Sequence, residues 1–323
     1  MRTVTVEEHF ASPGFLDGPG REVREEAKGG GRFARIITQL TDIGDGRVAL
    51  MDAAGIDVQV LSLTAPGLEQ SATADAIAAA RESNDYLAAA VKKHPTRFAG
   101  LAALPVGAPD KAVEELERRV KRDGFKGAVI NGHNNGRYLD DKFFWPILEC
   151  AETLNVPIYL HPARPPKAVM AAQYAGFSPI VDHVFAGPGW GWHIETALHM
   201  IRIVLGGVFD RYPKLQFAVG HLGEGLIGLF QRFDRAMPPA MTKLQRPFGD
   251  YLRQNVHYSF SGFNFHATFL ALLCEVGVER IMFSVDHPYQ SMAEGRAFLD
   301  QIPVSPADRE RIAHLNADKL FGL

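Results

Sequence analysis

The feature that most constrains the fold is a regular alternation of short apolar segments with segments of helical pattern. Eight short segments are rich in β-branched and other apolar residues, and helix-like sequences separate them. This alternation predicts parallel strands joined by right-handed crossovers, and eight such strands close into a barrel. We therefore predict an α/β fold, a (β/α)8 TIM barrel. An open doubly wound sheet is the alternative.

The predicted elements run along the whole chain. Strands are expected at 3–10, 58–63, 98–104, 127–130, 157–160, 216–219, 256–259 and 281–283. Helices are expected at 47–54, 71–93, 109–121, 143–154, 194–205, 223–235, 267–276, 292–301 and 306–315. Residues 11–45 are rich in Gly and charge, and a loop of that length after the first strand predicts a lid.

Size and charge narrow the function classes. A chain of 323 residues with 46% hydrophobic residues can bury a large core, so we predict one domain over residues 1–323. The net charge of −3 offers no basic field for nucleic acid or a membrane surface, which leaves small molecules as the expected partners. No signal sequence or apolar span is evident, so a cytoplasmic location is predicted. Cys150 and Cys274 are predicted to be buried thiols.

Reactive side chains fall where the predicted strands end. Glu7 and His9 leave the first strand two positions apart, on the same face. His161 ends the fifth strand, His221 follows the sixth and Asp286 follows the eighth. Since the carboxyl ends of barrel strands meet at one rim, these five side chains are expected to converge there. Mixed nitrogen and oxygen donors are typical of a divalent metal site. The remaining histidines are predicted to be structural or solvated, except that the roles of His193 and His266, in loop or helix-start positions, are left open.

These motifs together resemble the amidohydrolase superfamily, and specifically its metal-dependent decarboxylase branch. The matching stretches are E-E-H at residue 7, L-H-P at 160, G-H-L-G-E at 220 and S-V-D-H-P at 284, with further similarity from 42, 138 and 189. E-x-H replaces the H-x-H of many hydrolase members and points to C–C bond cleavage. Asn131 follows the fourth strand, where two-metal members carry a carboxylated lysine, so one metal is expected.

The resemblance implies a role for each of these positions. Glu7, His9, His161 and Asp286 would bind one divalent ion, Zn²⁺ or Mn²⁺ in preference to Mg²⁺. Asp286 would also protonate the ring carbon of a hydroxylated aromatic acid so that CO₂ leaves. His221 would assist by hydrogen bonding. Glu224, expected one turn into the following helix, would orient His221.

The resemblance also implies substrate contacts and an assembly. Arg232 would bind anionic or phenolic oxygens, and Trp190 and Tyr289 would flank the aromatic ring. The γ-resorcylate enzymes carry an asparagine where this chain has residues 236–238, A-M-P, so the substrate is expected to be a hydroxylated aromatic acid rather than that one compound. A homodimer or homotetramer is expected.

Two other function classes use similar residues. A metal-dependent hydrolase of a lactone, amide or related carbonyl compound would need almost the same ligands, with Asp286 as base. A barrel in which the metal serves only folding would have a closed coordination shell. The long segment after the first strand and the five polar groups at strand ends favour an enzyme, and E-x-H favours the decarboxylase.

Overall fold

The computed structural model describes residues 1–323, and its centre is a ring of short parallel strands. In chain order the strands are β1 (Val4–Phe10), β2 (Val58–Leu63), β3 (Phe98–Gly100), β4 (Ala102–Ala103), β5 (Ala128–Asn131), β6 (Ile158–His161), β7 (Phe217–Val219), β8 (Val256–Ser259) and β9 (Ile281–Met282). They pair in the orders β1-β2-β3 and β4-β5-β6-β7-β8-β9. Every pair is parallel.

Backbone hydrogen bonds join these two sets of strands into one barrel. Between β3 and β4, the Leu101 N–H donates to Leu61 of β2, and the next N–H donates to Gly127 beside β5, each at 2.9 Å. β3 and β4 are therefore two parts of one barrel strand, the one predicted at 98–104. At the other junction, the His9 N–H donates to the His287 carbonyl at 2.8 Å. The predicted (β/α)8 barrel is confirmed.

Helices surround the ring and connect its strands. They are α1 (Pro13–Asp17), α2 (Arg21–Ala27), α3 (Gly31–Thr41), α4 (Asp45–Ala54), α5 (Thr73–Lys93), α6 (Pro109–Asp123), α7 (Trp145–Leu154), α8 (Lys167–Gln173), α9 (Pro179–Ala186), α10 (Gly191–Leu205), α11 (Val208–Arg211), α12 (Phe230–Ala236), α13 (Pro239–Thr242), α14 (Phe248–Gln254), α15 (His266–Val276), α16 (Met292–Gln301), α17 (Pro306–Glu310) and α18 (Asn316–Phe321). Short 3₁₀ turns lie at Lys142–Phe144 and Val278–Arg280, and a π-helical turn lies at Arg311–Leu315.

Side chains alternate in direction along each strand, which separates two apolar clusters and determines which residues face the mouth of the barrel. Ile130 and Leu160 pack in the large cluster between the sheet and the helices, whereas Val129 and Tyr159 belong to the smaller cluster inside the barrel. Because side chains alternate with a period of two, the residue after Leu160 faces the interior again. That residue is His161, at the carboxyl end of β6. The pattern of the strand therefore directs this imidazole into the mouth of the barrel.

Several predicted boundaries were wrong. The segment 11–45 is not a structureless loop, because α1, α2 and α3 lie within it. The predicted helix at 223–235 begins only at Phe230, since the preceding chain turns through left-handed backbone at His221, Leu222 and Glu224. The short helices α1 and α2 leave too little periodicity to locate from the sequence, and the left-handed turn before α12 has no helical periodicity.

The last part of the chain also differs from the prediction. The helix expected at 306–315 changes to a π-helical turn after Glu310, and α18 follows it. Cys150 is buried as predicted, but Cys274 is exposed on α15. None of the helices combines the length and the apolar character needed to cross a bilayer.

Candidate metal centre and active site

Strand β1 carries one extra residue close to the rim. Thr5 pairs with Gln59 and Glu8 pairs with Leu61, so three steps along β1 match two along β2. An insertion of this kind is a β-bulge, which redirects side chains and is common beside active sites. The Glu7 carboxylate consequently reaches the side chains of the interior, while that of Glu8 bonds to the chain that follows β9.

Hydroxyl groups hold one oxygen of Glu7 and leave the other free. Tyr159 on β6 and Ser261 after β8 both donate to Oε2. Oε1 is buried and has no hydrogen-bond partner. The absence of a side chain at Gly220 is required here, because a Cβ at that position would overlap the carboxylate. Glu7 is thus fixed in orientation with one lone-pair oxygen presented to the barrel mouth.

Two imidazoles face this free oxygen. His161 donates from Nδ1 to the Pro162 carbonyl at 2.8 Å, which leaves Nε2 unprotonated, 3.4 Å from Glu7 Oε1. The His9 ring lies 4.8 Å from the His161 ring, centroid to centroid, and its Nε2 is buried without a hydrogen bond. Donor atoms of Glu7, His9 and His161 all lie within 4.8 Å of one another.

Asp286 completes the group from the other side of the barrel closure. Its Oδ1 lies 3.1 Å from His9 Nε2, and its N–H donates to the Glu7 carbonyl at 3.0 Å. The residue has left-handed backbone, with φ of 69°. The Glu8 carboxylate accepts the N–H groups of Val285 and His287 at 2.9 and 3.1 Å, so the chain is held on both sides of Asp286.

The electrostatics of this group fit a bound cation. Burial raises the pKa of Glu7, and it raises the pKa of Asp286 to about 7. Burial lowers the pKa of His9 to about 4, which keeps its imidazole neutral. Two carboxylates and two neutral imidazoles, including the unpartnered buried atoms of Glu7 and His9, are the donor set that a divalent ion of the Zn²⁺ or Mn²⁺ type accepts. The residues present therefore fit one metal ion.

A second buried cluster lies beside the first. His221 Nδ1 is 2.7 Å from Oε1 of Glu224, and His193 Nδ1 is 2.6 Å from Oε2 of the same carboxylate. Burial disfavours the His221 imidazolium, but the negative charges of Glu224 and Glu7 outweigh burial and raise the pKa of His221. Glu224 is close to His221 as predicted, although it lies in a left-handed turn and not within a helix.

The structure places the three predicted substrate contacts differently. The Tyr289 ring lies 5.6 Å from the His9 ring, and its hydroxyl shares a 2.6 Å hydrogen bond with Thr64. Trp190 is 51% exposed at the start of α10, and Arg232 is exposed on α12. Trp192, two residues beyond Trp190, is the tryptophan whose ring lies near His161, at 6.5 Å. The substrate role of all three predicted residues stays a prediction.

Sequence reasoning missed the residues that support the predicted ones. Tyr159 precedes His161 by two positions in β6, so the period of the strand already placed it on the same face. Ser261 follows β8 at the same period after Ser259. His193 carried no comparable signal, because its proximity to Glu224 depends on how α10 packs against a turn distant in sequence.

Comparison with known proteins gives a family model and close relatives. The protein-family model for amidohydrolases matches residues 37–323 of this chain. The γ-resorcylate decarboxylase of Polaromonas sp. is 37% identical over 334 residues, which cover 99% of this chain and 98% of the relative. The γ-resorcylate decarboxylase of Rhizobium sp. is 37% identical over the same shares of the two chains.

Solved structures agree with these relatives. The dihydroxybenzoic acid decarboxylase of Polaromonas sp., with bound manganese and the inhibitor 2-nitroresorcinol, superposes with a TM-score of 0.89 at 35% identity, over 100% of this chain and 97% of the other.

Proposed function

Because this chain belongs to the amidohydrolase family, we propose that it is a metal-dependent, non-oxidative decarboxylase of a hydroxylated aromatic carboxylic acid. The observation that carries the proposal is the convergence of Glu7, His9, His161 and Asp286 at the mouth of the barrel, where Glu7 Oε1 and His9 Nε2 are buried without hydrogen-bond partners. The names of the relatives and the manganese in the solved dihydroxybenzoic acid decarboxylase support the same reaction and the same class of metal. This was the function predicted from the sequence.

The site suits an aromatic acid with a hydroxyl group next to its carboxylate. Glu7, His9, His161 and Asp286 would hold a divalent cation, whose positive charge would attract the substrate carboxylate and phenolic oxygen. Tyr289 and Trp192 place aromatic rings beside His9 and His161, where a flat substrate ring can pack. Burial of the whole group excludes water and strengthens these interactions.

Asp286 has the properties of the proton donor. Burial raises its pKa to about 7, a shift that favours the protonated carboxyl and that a bound cation would oppose, and a carboxyl protonated as substrate binds can release its proton to a substrate carbon. The proton adds to the ring carbon that bears the carboxylate. The bond between this carbon and the carboxylate then breaks, its electron pair restores the aromatic ring, and CO₂ leaves. No oxidant or reductant is required.

His221 and Glu224 support this step from the neighbouring cluster. The hydrogen bond from His221 Nδ1 to Glu224 fixes the imidazole and leaves its Nε2 as the nitrogen available to a substrate. The negative charges of Glu224 and Glu7 favour the imidazolium, which can stabilise a phenolate oxygen. The same groups could serve a hydrolase, so product analysis has to separate the two reactions.

The deciding experiment compares hydroxybenzoates with and without an ortho hydroxyl group. Manganese-loaded protein is mixed with 2,6- and 2,3-dihydroxybenzoate and with 4-hydroxybenzoate as the matched control, and released CO₂ is measured together with ultraviolet absorbance. We expect CO₂ from at least one ortho-hydroxylated acid, none from the control, and one deuterium at the vacated ring carbon in D₂O. Hydrolysis of a lactone or amide without any CO₂ release would favour the alternative function.

Three further features belong to the proposal. The protein is a single domain over residues 1–323, it assembles as a homodimer or homotetramer, and it is located in the cytoplasm. Size-exclusion chromatography with light scattering tests the assembly directly. A monomeric mass for fully active enzyme would remove the predicted oligomer without affecting the proposed reaction.

A further inference from the structure

His193 is a buried histidine without an assigned role, although it shares a carboxylate with His221. It lies in the first turn of α10 and is 8% exposed. Its ring centroid is 4.6 Å from that of His221, and the Phe263 ring packs against both, at 5.1 and 5.0 Å. Glu224 lies between the two imidazoles, with one oxygen 2.6 Å from His193 and the other 2.7 Å from His221.

The neighbouring indole fixes the proton positions on His193. Trp192 Nε1 lies 3.0 Å from His193 Nε2, and an indole nitrogen can only donate. Nε2 therefore accepts, and the proton of a neutral ring is on Nδ1, from which it is donated to Glu224. The Pro188 carbonyl, 3.2 Å from Nε2, would become the partner only if the ring were doubly protonated. Two hydrogen bonds therefore run in one direction, from Trp192 to His193 and from His193 to Glu224.

The backbone explains why Glu224 needs a second anchor. It lies in a turn with φ of 55°, between His221 at 48° and the start of α12 at Phe230, so no helix fixes its direction. Residues in such left-handed backbone persist where surrounding contacts hold them. His193 reaches the carboxylate from a different element, α10, and occupies the oxygen that His221 does not use.

We propose that His193 is a positioning residue, which holds Glu224 by its second oxygen and thereby fixes the orientation of His221 towards the substrate. Trp192 belongs to the same device, since its indole N–H selects the His193 tautomer that donates to Glu224. This inference rests on the proposed decarboxylation only for its kinetic readout. The same three groups, His193, His221 and Glu224, could instead hold a second metal ion, because their donor atoms lie within 4.8 Å of one another.

Two isosteric substitutions test the role of the donor. His193→Asn retains an N–H close to the position of Nδ1, whereas His193→Leu has a similar shape and no donor. We expect His193→Leu to lower kcat by about 10–100-fold with little change in KM, the range found when a partner that orients an active-site ligand is lost. His193→Asn should recover most of that loss. Trp192→Phe, which removes the indole N–H together with part of the ring, should lower kcat less than His193→Leu does.

Two measurements keep the inference separate from the proposed reaction. In ¹⁵N-labelled protein, the downfield imidazole N–H signals should include one from His193 and one from His221. His193→Leu should remove the first and shift the second, whether or not the wild type releases CO₂. Metal analysis should give one ion per chain in wild type and in both variants.

The inference would be overturned by equal loss of kcat in His193→Asn and His193→Leu, or by unchanged kcat in His193→Leu. An unshifted His221 signal in His193→Leu would contradict it as well. Two ions per wild-type chain, with one lost in His193→Leu, would replace it with a second metal site. As a control, the thermal unfolding midpoints of the two variants are measured. Equal midpoints would show that both variants retain the fold.

Discussion

The rim of the barrel and the segment between β6 and α10 are built in different ways. At the rim, Glu7, His9, His161 and Asp286 are all buried, and the strand ladder and its closure hold their backbones. The segment between β6 and α10 contains the short helices α8 and α9 and leaves large apolar side chains exposed, such as Phe177 at 64% and Ile180 at 73%. The contrast shows that strand register and the barrel closure position the buried rim residues, whereas the exposed segment between β6 and α10 is not positioned by that register.

The largest effect is expected from the proton donor at the rim. Asp286→Asn retains the shape of the side chain and one metal-binding oxygen, but it cannot deliver a proton. We expect kcat to fall by about 10²–10⁴-fold, as is typical for loss of a general acid. Circular dichroism should show an unchanged fold, and metal content should be partly retained. Near-native turnover in this variant would remove Asp286 from the role of acid.

A large loss is also expected from the carboxylate that holds the chain around Asp286. Glu8→Ala leaves the buried N–H groups of Val285 and His287 without an acceptor, which costs about 1–3 kcal/mol for each in the free energy of unfolding. Denaturant unfolding measures this loss. Glu294→Ala, at an exposed position on α16, is the control and should leave stability within about 0.5 kcal/mol. Equal stability of the two variants would show that the closure does not depend on Glu8.

A smaller effect, on metal affinity, is expected from Tyr159, which donates a hydrogen bond to Oε2 of Glu7. Tyr159→Phe removes a hydrogen bond to Oε2 without changing the ring, and we expect metal affinity to fall by about 10–100-fold in chelator competition. Tyr251→Phe is the matched control, since this buried tyrosine bonds to Asp210 away from the rim. A loss of affinity in the control alone would place the metal elsewhere.

The smallest effect is expected at Trp190, in the exposed segment between β6 and α10. Trp190 is half exposed, so Trp190→Ala should change KM by about twofold or less, as surface substitutions do. Steady-state kinetics with the substrate identified above measures the change. An increase in KM of more than about tenfold would show that Trp190 contacts the substrate, as predicted from the sequence.

The same contrast explains what the sequence could predict. Glu7, His9 and His161 are assigned correctly to one rim because alternation within a strand and the parallel order of the barrel determine where each side chain lies. Arg232 lies on the short helix α12 and Trp190 directly precedes α10, so the position of each depends on packing between segments distant in sequence. His193 required the knowledge that α10 lies against the turn at Glu224. The predicted start of the helix at 223 was wrong because the left-handed turn before Phe230 has no periodic pattern apart from its glycines.

The most direct test of the central claim is an anomalous diffraction map of crystals loaded with manganese. We expect one peak per chain, within bonding distance of Glu7 Oε1, His9, His161 and Asp286, and its loss in His161→Ala. A peak between His193, His221 and Glu224, or an ion that contacts none of the four rim residues, would contradict a metal site at the rim.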